Sequence, residues 1–447
     1  MTLRHMVKFL SVIGLCVTLS ACTTAQFLFG DPPEEVLDGD RLTILELEEQ
    51  LEPDPILQTS QISLPEIWRN QFWPQYYGYP NHAMGHVGLP PVLKRAFSVD
   101  IGEGKAKNNP LLATPIVADG RVFTLDTNLK ISSFDANSGR KLWSKKITIP
   151  KAQRGDTIGG GIAYTSGRIY ATVGIKTAYV IDPDNGQLLH VFNLPSPARA
   201  APTVLDGKVY LQTLDNKVNV FDTETFEPAW NYNGFSETTS LLGASSPAVD
   251  KDVVIAAFTS GEVVAMRHLN GQTLWTDNLS SVRRTGVSAL ISDVRGGVVI
   301  DKGLVYAISH GGKMVAIDLL TGRRVWQREV GGSQTPWSVG NVVYVITDNQ
   351  EVIALSRLDG RIYWVQPLPK FKSKDKTSPY IWHGPILAGG RLVVISNFGS
   401  ALDLDPVTGE VLKGWSLKTE IATAPIVAND TLYIISKKGR LLAYREE

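Results

Sequence analysis

The hydrophobic residues from about residue 93 to the C-terminus fall into short runs of strand length. In the stretch ATPIVADGRVFTLDTNLKISSFDANSGRKLW, from Ala113 to Trp143, apolar and polar residues alternate in four such runs, which Gly, Asn and Asp separate. Alternation with a period of two is typical of half-buried strands, and Gly, Asn and Asp favour tight turns. The pattern therefore predicts an all-β protein built from short antiparallel strands.

The same pattern recurs along the chain, and its most regular part is a Gly-x-x-x-Trp ending. In modified copies His190 replaces the Trp, Phe226 replaces the Gly, and the Trp after Gly409 is displaced by two positions to Trp415. A period of about 40–50 residues fits the four strands of a propeller blade and excludes helical solenoids. The unmodified endings are Gly139–Trp143, Gly271–Trp275, Gly322–Trp326 and Gly360–Trp364.

Seven full copies are visible, and an eighth begins at Thr423 but supplies only three strands before the chain ends. Upstream of the first copy, Leu93–Ile101 alternates like an outer strand, and Phe97 stands where other copies carry Trp. Pairing this strand with the last copy would remove an exposed edge. We predict an eight-bladed β-propeller of four-stranded antiparallel blades over residues 91–447, closed by an N-terminal strand.

The residues that define the repeat have structural explanations. A Trp at the end of a strand can pack between blades, and the Gly supplies a turn that needs a positive φ. The Asp that precedes each turn can cap it through its side chain. These capping residues are Asp135, Asp182, Asp222, Asp318 and Asp405.

The first 21 residues have the features of a secretory signal. Arg4 and Lys8 precede an apolar run, and the sequence Leu-Ser-Ala-Cys that ends at Cys22 resembles a bacterial lipobox. The resemblance implies that Cys22 is acylated and begins the mature chain, and Thr23 in the next position implies sorting to the outer membrane. Residues 22–90 show no period and recurrent Pro, so we interpret them as a lipidated tether. It is ordered where Trp68, Phe72, Trp73, Tyr76 and Tyr77 pack on the body.

Composition narrows the functional classes. Lys plus Arg and Asp plus Glu each number 44, so the chain has no basic excess for nucleic acid. The two cysteines, Cys16 and Cys22, both precede the predicted propeller, which therefore has no thiolate nucleophile and no Cys-ligated metal. No combination of residues in sequence indicates a catalytic site, and Gly159–Gly161 lacks the Lys of a phosphate loop.

A lipobox, a tether and eight blades of this repeat together resemble the outer-membrane protein assembly factor BamB family. The resemblance implies a scaffold without cofactor or catalytic activity at the periplasmic face of the outer membrane. It also implies that the partners are the POTRA domains of BamA and other components of the β-barrel assembly machinery.

Two loops are the predicted partner contacts. Leu241 and Leu242 precede the fourth blade, and Asp293 and Arg295 precede the fifth. Loops that connect consecutive blades emerge on one face, so these two should lie side by side. The family resemblance points to the same two loops, although this chain has Leu242 where an Arg is expected and Arg295 where an Asp is expected. The alternative is that the two leucines are buried packing residues.

Three further interpretations remain open. The repeat is also found in quinoprotein dehydrogenases, so the alternative function is that of a PQQ-dependent periplasmic dehydrogenase-like protein. His82 and His86 have the spacing of half a helical metal site, but Pro80 and Gly85 disfavour a helix, so capping the propeller is the favoured role. The basic loop that contains Lys370, Lys372, Lys374 and Lys376 either touches a partner or anionic lipid, or is simply solvated.

Overall fold

A computed structural model describes residues 51–57, 61–105, 109–149, 157–235, 245–280, 293–310 and 312–446. Within these ranges thirty-two strands form eight four-stranded antiparallel sheets. No helix in the described ranges is long and apolar enough to cross a membrane. The all-β prediction and the eight-bladed propeller are confirmed.

In blades 1–7 the strands follow one another in the chain, from the first, innermost strand to the fourth, outermost strand. Blade 1 contains β2 (Ile116–Ala118), β3 (Arg121–Leu125), β4 (Lys130–Asp135) and β5 (Lys141–Lys146). Blade 2 contains β6 (Gly161–Thr165), β7 (Arg168–Thr172), β8 (Thr177–Ile181) and β9 (Leu188–Asn193). Blade 3 contains β10 (Thr203–Leu205), β11 (Lys208–Thr213), β12 (Lys217–Asp222) and β13 (Pro228–Asn233). Blade 4 contains β14 (Ala248–Asp250), β15 (Val253–Ala257), β16 (Glu262–Arg267) and β17 (Thr273–Asn278).

The second half of the ring repeats the arrangement. Blade 5 contains β18 (Val299–Asp301), β19 (Leu304–Ile308), β20 (Met314–Asp318) and β21 (Arg324–Arg328). Blade 6 contains β22 (Trp337–Val339), β23 (Val342–Ile346), β24 (Glu351–Ser356) and β25 (Ile362–Pro367). Blade 7 contains β26 (Trp382–Ala388), β27 (Arg391–Ser396), β28 (Ser400–Leu404) and β29 (Val411–Ser416). Blade 8 contains β30 (Ile426–Ala428), β31 (Thr431–Ile435), β32 (Arg440–Arg445) and β1 (Lys94–Asp100).

The predicted ring closure is confirmed. Strand β1 pairs antiparallel with β32 from Lys94 opposite Arg445 to Asp100 opposite Arg440, with a bulge between Arg95 and Phe97. The outermost strand of blade 8 therefore comes from the N-terminal side of the propeller. This pairing covers the edge that β32 would otherwise expose.

Five of the eight junctions between blades repeat one contact. The indole N–H of Trp143 donates to the carbonyl oxygen of Pro183 in the next blade at 2.7 Å, and four later tryptophans make the same bond. A methyl group on Gly186 would overlap the Trp143 ring, so this Gly serves the junction as well as its own turn. Phe97 occupies the same place against Gly139 of blade 1.

The two modified copies of the repeat compensate for each other. His190 replaces the Trp of blade 2, and Phe226 replaces the Gly that a Trp would need in blade 3. Their rings stack with centroids 4.3 Å apart and 9° between planes. The displaced Trp415 also has a physical reason, because blade 8 takes its fourth strand from β1 and has no turn Gly to receive a Trp. Trp415 instead contacts Tyr444 edge-on and donates to Asp403.

The propeller has two unlike faces. The face that carries the turns between first and second strands and between third and fourth strands is called the turn face. The opposite face, called the loop face, carries the connections between blades, such as residues 329–336 between β21 and β22.

On the turn face, residues 61–91, here called the ring segment, run once around the central opening. The first strands present unpaired backbone groups there, and the ring segment bonds to all eight blades in turn. Trp73 exchanges two backbone hydrogen bonds with Val117 of blade 1, at 2.8 and 2.9 Å. The side-chain amide of Gln75 makes the equivalent pair of bonds with Val204 of blade 3. Buried backbone groups need such partners, so the ring segment completes the inner wall of the propeller.

The other blades bond to the ring segment through backbone groups, except blade 6, where the indole N–H of Trp337 donates to the carbonyl oxygen of Gly85. The residues that receive or donate these bonds are Tyr164 in blade 2, Val249 in blade 4, Ile300 in blade 5, Trp337 in blade 6, Leu387 in blade 7 and Asn429 in blade 8. The ring segment is thus an integral part of the described body. Of its aromatic residues, Trp73 is buried, whereas Trp68 and Phe72 keep more than a third of their surface exposed.

Candidate functional site

Part of the predicted partner site lies outside the described residues. Leu241 and Leu242 belong to the undescribed stretch 236–244, and Cys22 with the whole predicted signal precedes residue 51. Asp293 and Arg295 are described, and they lie in the connection between blades 4 and 5 on the loop face.

Asp293 and Arg295 differ in their surroundings. Asp293 is 3% exposed, and its backbone oxygen accepts a hydrogen bond from the backbone N–H of His310 at 3.0 Å. Next to it, Nδ1 of His310 lies 3.0 Å from the Asp348 carboxylate. Asp348 raises the pKa of His310, and the charge of Asp293 raises it further. Asp293 therefore belongs to the packed base of its loop, and half-buried Arg295 is the more accessible of the pair.

Arg295 also lines a cavity of about 120 Å³ at the centre of the ring. Tyr76 and Tyr77 of the ring segment contribute to the wall, and residues that lead into the first strands of most blades supply the rest. Arg199 and Arg295 give this cavity a positive character. Gly159–Gly161 pack tightly beside the cavity, because a methyl group on Gly161 would overlap Ala201.

The titratable groups of the cavity are not poised for acid–base chemistry. Burial lowers the pKa of His383 to about 4, and the nearby charges of Arg295 and Lys437 lower it as well. Burial also raises the pKa of Tyr77 well above its ordinary value. Both groups are therefore neutral at physiological pH, whereas a general base works best with a pKa near the working pH.

The cavity residues do not match a quinone–calcium site. Ca²⁺ prefers carboxylate oxygens, and the described residues that line the cavity include no Asp or Glu. Across the described ranges, no three His, Cys, Asp or Glu side chains are grouped so that they could hold a metal ion. The fold of quinoprotein enzymes is present here without their cofactor ligands among the lining residues.

His82 and His86 act in the ring segment as hydrogen-bonding residues. His82 Nδ1 lies 2.6 Å from the carbonyl oxygen of Val298, and burial lowers its pKa to about 4. His86 accepts from the backbone N–H of Gly390 through Nε2 at 3.0 Å, so its Nδ1–H donates to Pro65 O. The two rings hold different blades to the ring segment, as the capping interpretation predicted.

Two features were not foreseen from the sequence. The ring segment bonds mostly through backbone groups, which leave no side-chain signature. The second feature is a difference between blades in the residue at the tip of the turn that joins the third and fourth strands. This tip residue lies two positions before the turn Gly. Aligning the repeats on the turn Gly reveals polar residues there in blades 1–3 and aliphatic residues in blades 4–7. These residues are Asn137, Asp184, Glu224, Leu269, Leu320, Leu358 and Val407.

Sequence comparisons find relatives that include an outer membrane protein assembly factor. An uncharacterized protein of Rickettsia prowazekii is 27% identical over 269 residues, which cover 60% of this chain and 64% of that protein. The match thus spans slightly less than two thirds of that relative. The outer membrane protein assembly factor BamB of Moranella endobia is 26% identical over 310 residues, 66% of this chain and 79% of the relative.

Solved structures share the fold. BamB from Moraxella catarrhalis superposes with a TM-score of 0.64 at 18% identity, over 79% of this chain and all of that chain. A europium-containing methanol dehydrogenase superposes with a TM-score of 0.67 at 13% identity, over 84% of this chain and 98% of the enzyme. At such identities the superpositions establish the propeller fold alone.

The family model described as outer membrane protein assembly factor BamB matches residues 127–366, more than half of the chain. The matched range extends from blade 1 to blade 6. The chain belongs to the outer membrane protein assembly factor BamB family.

Proposed function

We propose that the protein is a non-enzymatic scaffold of the β-barrel assembly machinery that aids insertion of outer-membrane proteins. It is held at the periplasmic face of the outer membrane by acylated Cys22. The single observation that carries the proposal is the family match over residues 127–366. The chemistry of the cavity supports it, because the described lining residues offer neither a group poised for proton transfer nor carboxylate ligands for a metal.

The proposed partner is the POTRA region of BamA, bound through the loop face. Leu241, Leu242, Asp293 and Arg295 are the proposed contact residues, and the family match includes both of their loops. Since Asp293 is buried, its proposed role is to hold the loop that presents Arg295. Arg is enriched at protein interfaces, and the buried core of an interface is more apolar than its rim.

The experiment is affinity purification of the tagged protein from detergent-solubilised envelopes, followed by mass spectrometry. BamA and further assembly components should be enriched over an untagged control. A preparation that recovers its partners without BamA would contradict the proposed function.

Anchoring is tested separately. Acyl chains attach a protein stably when more than one is present, and Cys22 is the proposed acceptor. The Cys22→Ser protein should leave the outer-membrane fraction, with Cys16→Ser as the control that stays there. Unchanged fractionation of Cys22→Ser would exclude lipid anchoring at this residue.

The alternative function, a PQQ-dependent periplasmic dehydrogenase-like protein, has fold-level similarity as its support. Purified protein incubated with PQQ and Ca²⁺ should show no dye-linked alcohol oxidation. Turnover in that assay would replace the scaffold proposal with an enzymatic one.

A further inference from the structure

The turn face carries exposed aliphatic residues that the fold does not require. Leu269, Leu320 and Leu358, at the tips of the turns of blades 4, 5 and 6, are 71%, 81% and 74% exposed. Val407 is 44% exposed at the same position of blade 7. Blades 1 and 3 make the same turn with Asn137 and Glu224 at the tip. Since a polar residue serves the turn equally well, the leucines need another explanation.

The four tips are arranged as an arc. They occupy one repeat position in consecutive blades, and adjacent blades of an eight-bladed ring are about 45° apart. The tips therefore protrude side by side over nearly half of the turn face. They are separate protrusions, and a protein partner usually needs a continuous, closely packed patch. A fluid apolar phase accepts separate protrusions without matching their shape.

The turns between first and second strands also differ in charge between these blades and blades 1 and 3. The turns between first and second strands expose Lys251 in blade 4 and Lys302 in blade 5, where blades 1 and 3 expose Asp119 and Asp206. All four residues have a positive φ of 45° to 48°, so they occupy equivalent positions. At this repeat position blades 4 and 5 are therefore basic where blades 1 and 3 are acidic, and basic residues favour contact with anionic lipid headgroups.

The first described residues after the proposed anchor, 51–54, lie beside blade 6, in the middle of this arc. The backbone N–H of Asp54 donates to the carbonyl oxygen of Ile362 at 2.8 Å, just after the Leu358 turn of blade 6. Leu51 packs against the buried cluster of blades 5 and 6. Twenty-eight residues separate Cys22 from Leu51. An acyl anchor at Cys22 therefore presents blade 6 and its neighbours to the bilayer at high local concentration.

We propose that the turn face of blades 4–7 docks on the phospholipid surface to which the chain is anchored. Leu269, Leu320, Leu358 and Val407 would enter the interface, and Lys251 and Lys302 would lie at the headgroups. The proposal deepens the proposed function and rests on it for the anchor. The loop face then points away from the bilayer, where it is free to bind a partner.

A single thiol can be introduced for labelling, because the sequence after Cys22 contains no cysteine. Mature chain carrying Cys22→Ser receives Leu320→Cys, or Glu224→Cys as the matched control, and each thiol is labelled with an environment-sensitive fluorophore. Vesicles of phosphatidylethanolamine and phosphatidylglycerol at 3:1 are added. Emission from position 320 should shift to the blue and become sensitive to lipid-borne quenchers, with position 224 unchanged.

A second variant tests the energetics. Leu269→Glu combined with Leu320→Glu and Leu358→Glu should lower the vesicle-bound fraction at least tenfold in flotation. Asn137→Glu combined with Asn185→Glu and Thr225→Glu adds the same three charges to the turns of blades 1–3 and should leave that fraction unchanged. The three leucines are exposed, so the melting temperatures should agree with that of the parent protein, and this measurement excludes misfolding as a cause.

The other outcomes overturn the proposal. Equal shifts at positions 320 and 224, or no shift at either, would mean that the arc has no preference for lipid. A concentration-dependent shift at position 320 without vesicles would assign the arc to a second copy of the chain. A shift only with purified BamA would assign it to a protein partner. Because the vesicles contain no protein and the probe protein carries no acyl chain, these results are independent of BamA binding and of anchoring.

Discussion

The turn face and the loop face of this propeller are closed in different ways. On the turn face, the ring segment is hydrogen-bonded to all eight blades, and short turns join first to second strands and, in blades 1–7, third to fourth strands. On the loop face, the connections between blades differ in length: residues 329–336 join blades 5 and 6, whereas residues 368–381 join blades 6 and 7. One face therefore holds the ring together, whereas the other carries connections of unequal length, as faces with binding loops do.

Ring closure should have the largest effect on stability. Deleting residues 92–101 removes β1, exposes the edge of β32 and takes Phe97 from its contact with Gly139. We expect cooperative unfolding in denaturant to be lost. Deletion of residues 31–40 is the control and should leave the transition in place. A cooperative transition at the wild-type midpoint after the first deletion would refute the closure.

The ring segment is tested next, by Trp73→Ala. Trp73 is 3% exposed and packs in the cluster shared by blades 1, 7 and 8. Truncating a buried Trp costs about 3–5 kcal/mol in the free energy of unfolding. Phe72→Ala is the neighbouring control, and its exposed ring should cost well under half as much. Equal losses in urea titrations would mean that the ring segment does not stabilise the body.

The ring segment should also make stability depend on pH. Burial lowers the pKa of His82 to about 4, from 6.5 in an unfolded chain. The folded state therefore resists protonation. The free energy of unfolding therefore has its full value above about pH 6.5. It decreases as the pH falls towards 4, by up to about 3 kcal/mol.

The check is urea unfolding at pH 7 and pH 4.5 for wild type and His82→Asn. An Asn keeps a donor for the carbonyl oxygen of Val298 but does not titrate, so the variant should lose less stability between the two pH values. Parallel losses in the two proteins would show that His82 is not the titrating group.

The modified junction should give the smallest effect. His190 and Phe226 stack where other blades use Trp and Gly, so their alanine variants should be coupled. We expect a coupling energy of about 0.5–1.5 kcal/mol from a double-mutant cycle. The pair His190→Ala and Leu320→Ala is the control and should be additive. Additive losses for His190→Ala and Phe226→Ala would mean that the stacked rings contribute nothing to the free energy of unfolding.

Features that repeat with the blades were predictable from the sequence. Phe97 could be assigned to blade 8 because it stands at the Trp position of a short alternating run, and Gly139 receives it. The Asp caps were predictable for the same reason, since Asp318 accepts from the backbone N–H of Thr321. A feature that recurs in every blade can be assigned from the sequence because each copy supports the same position in the fold.

Features that depend on contacts distant in sequence were not predictable. Gln75 pairs with Val204 through its amide, which replaces a backbone group without any periodic signal. The burial of Asp293 depends on blade 5 and 6 residues around His310. The aliphatic tips were visible in the sequence, but only the turn geometry shows that they protrude together.

The measurement that tests the account most directly compares the two faces in one co-purification. Acylated protein carries either Leu241→Asp with Arg295→Glu on the loop face, or Leu269→Glu, Leu320→Glu and Leu358→Glu on the turn face. Lys418→Glu, in the exposed connection between blades 7 and 8, is the loop-face control. We expect at least tenfold less BamA with the loop-face variant. The turn-face variant and the Lys418→Glu control should recover as much BamA as the wild type, and all melting temperatures should be unchanged. Loss of BamA with the turn-face variant and retention with the loop-face variant would contradict the account.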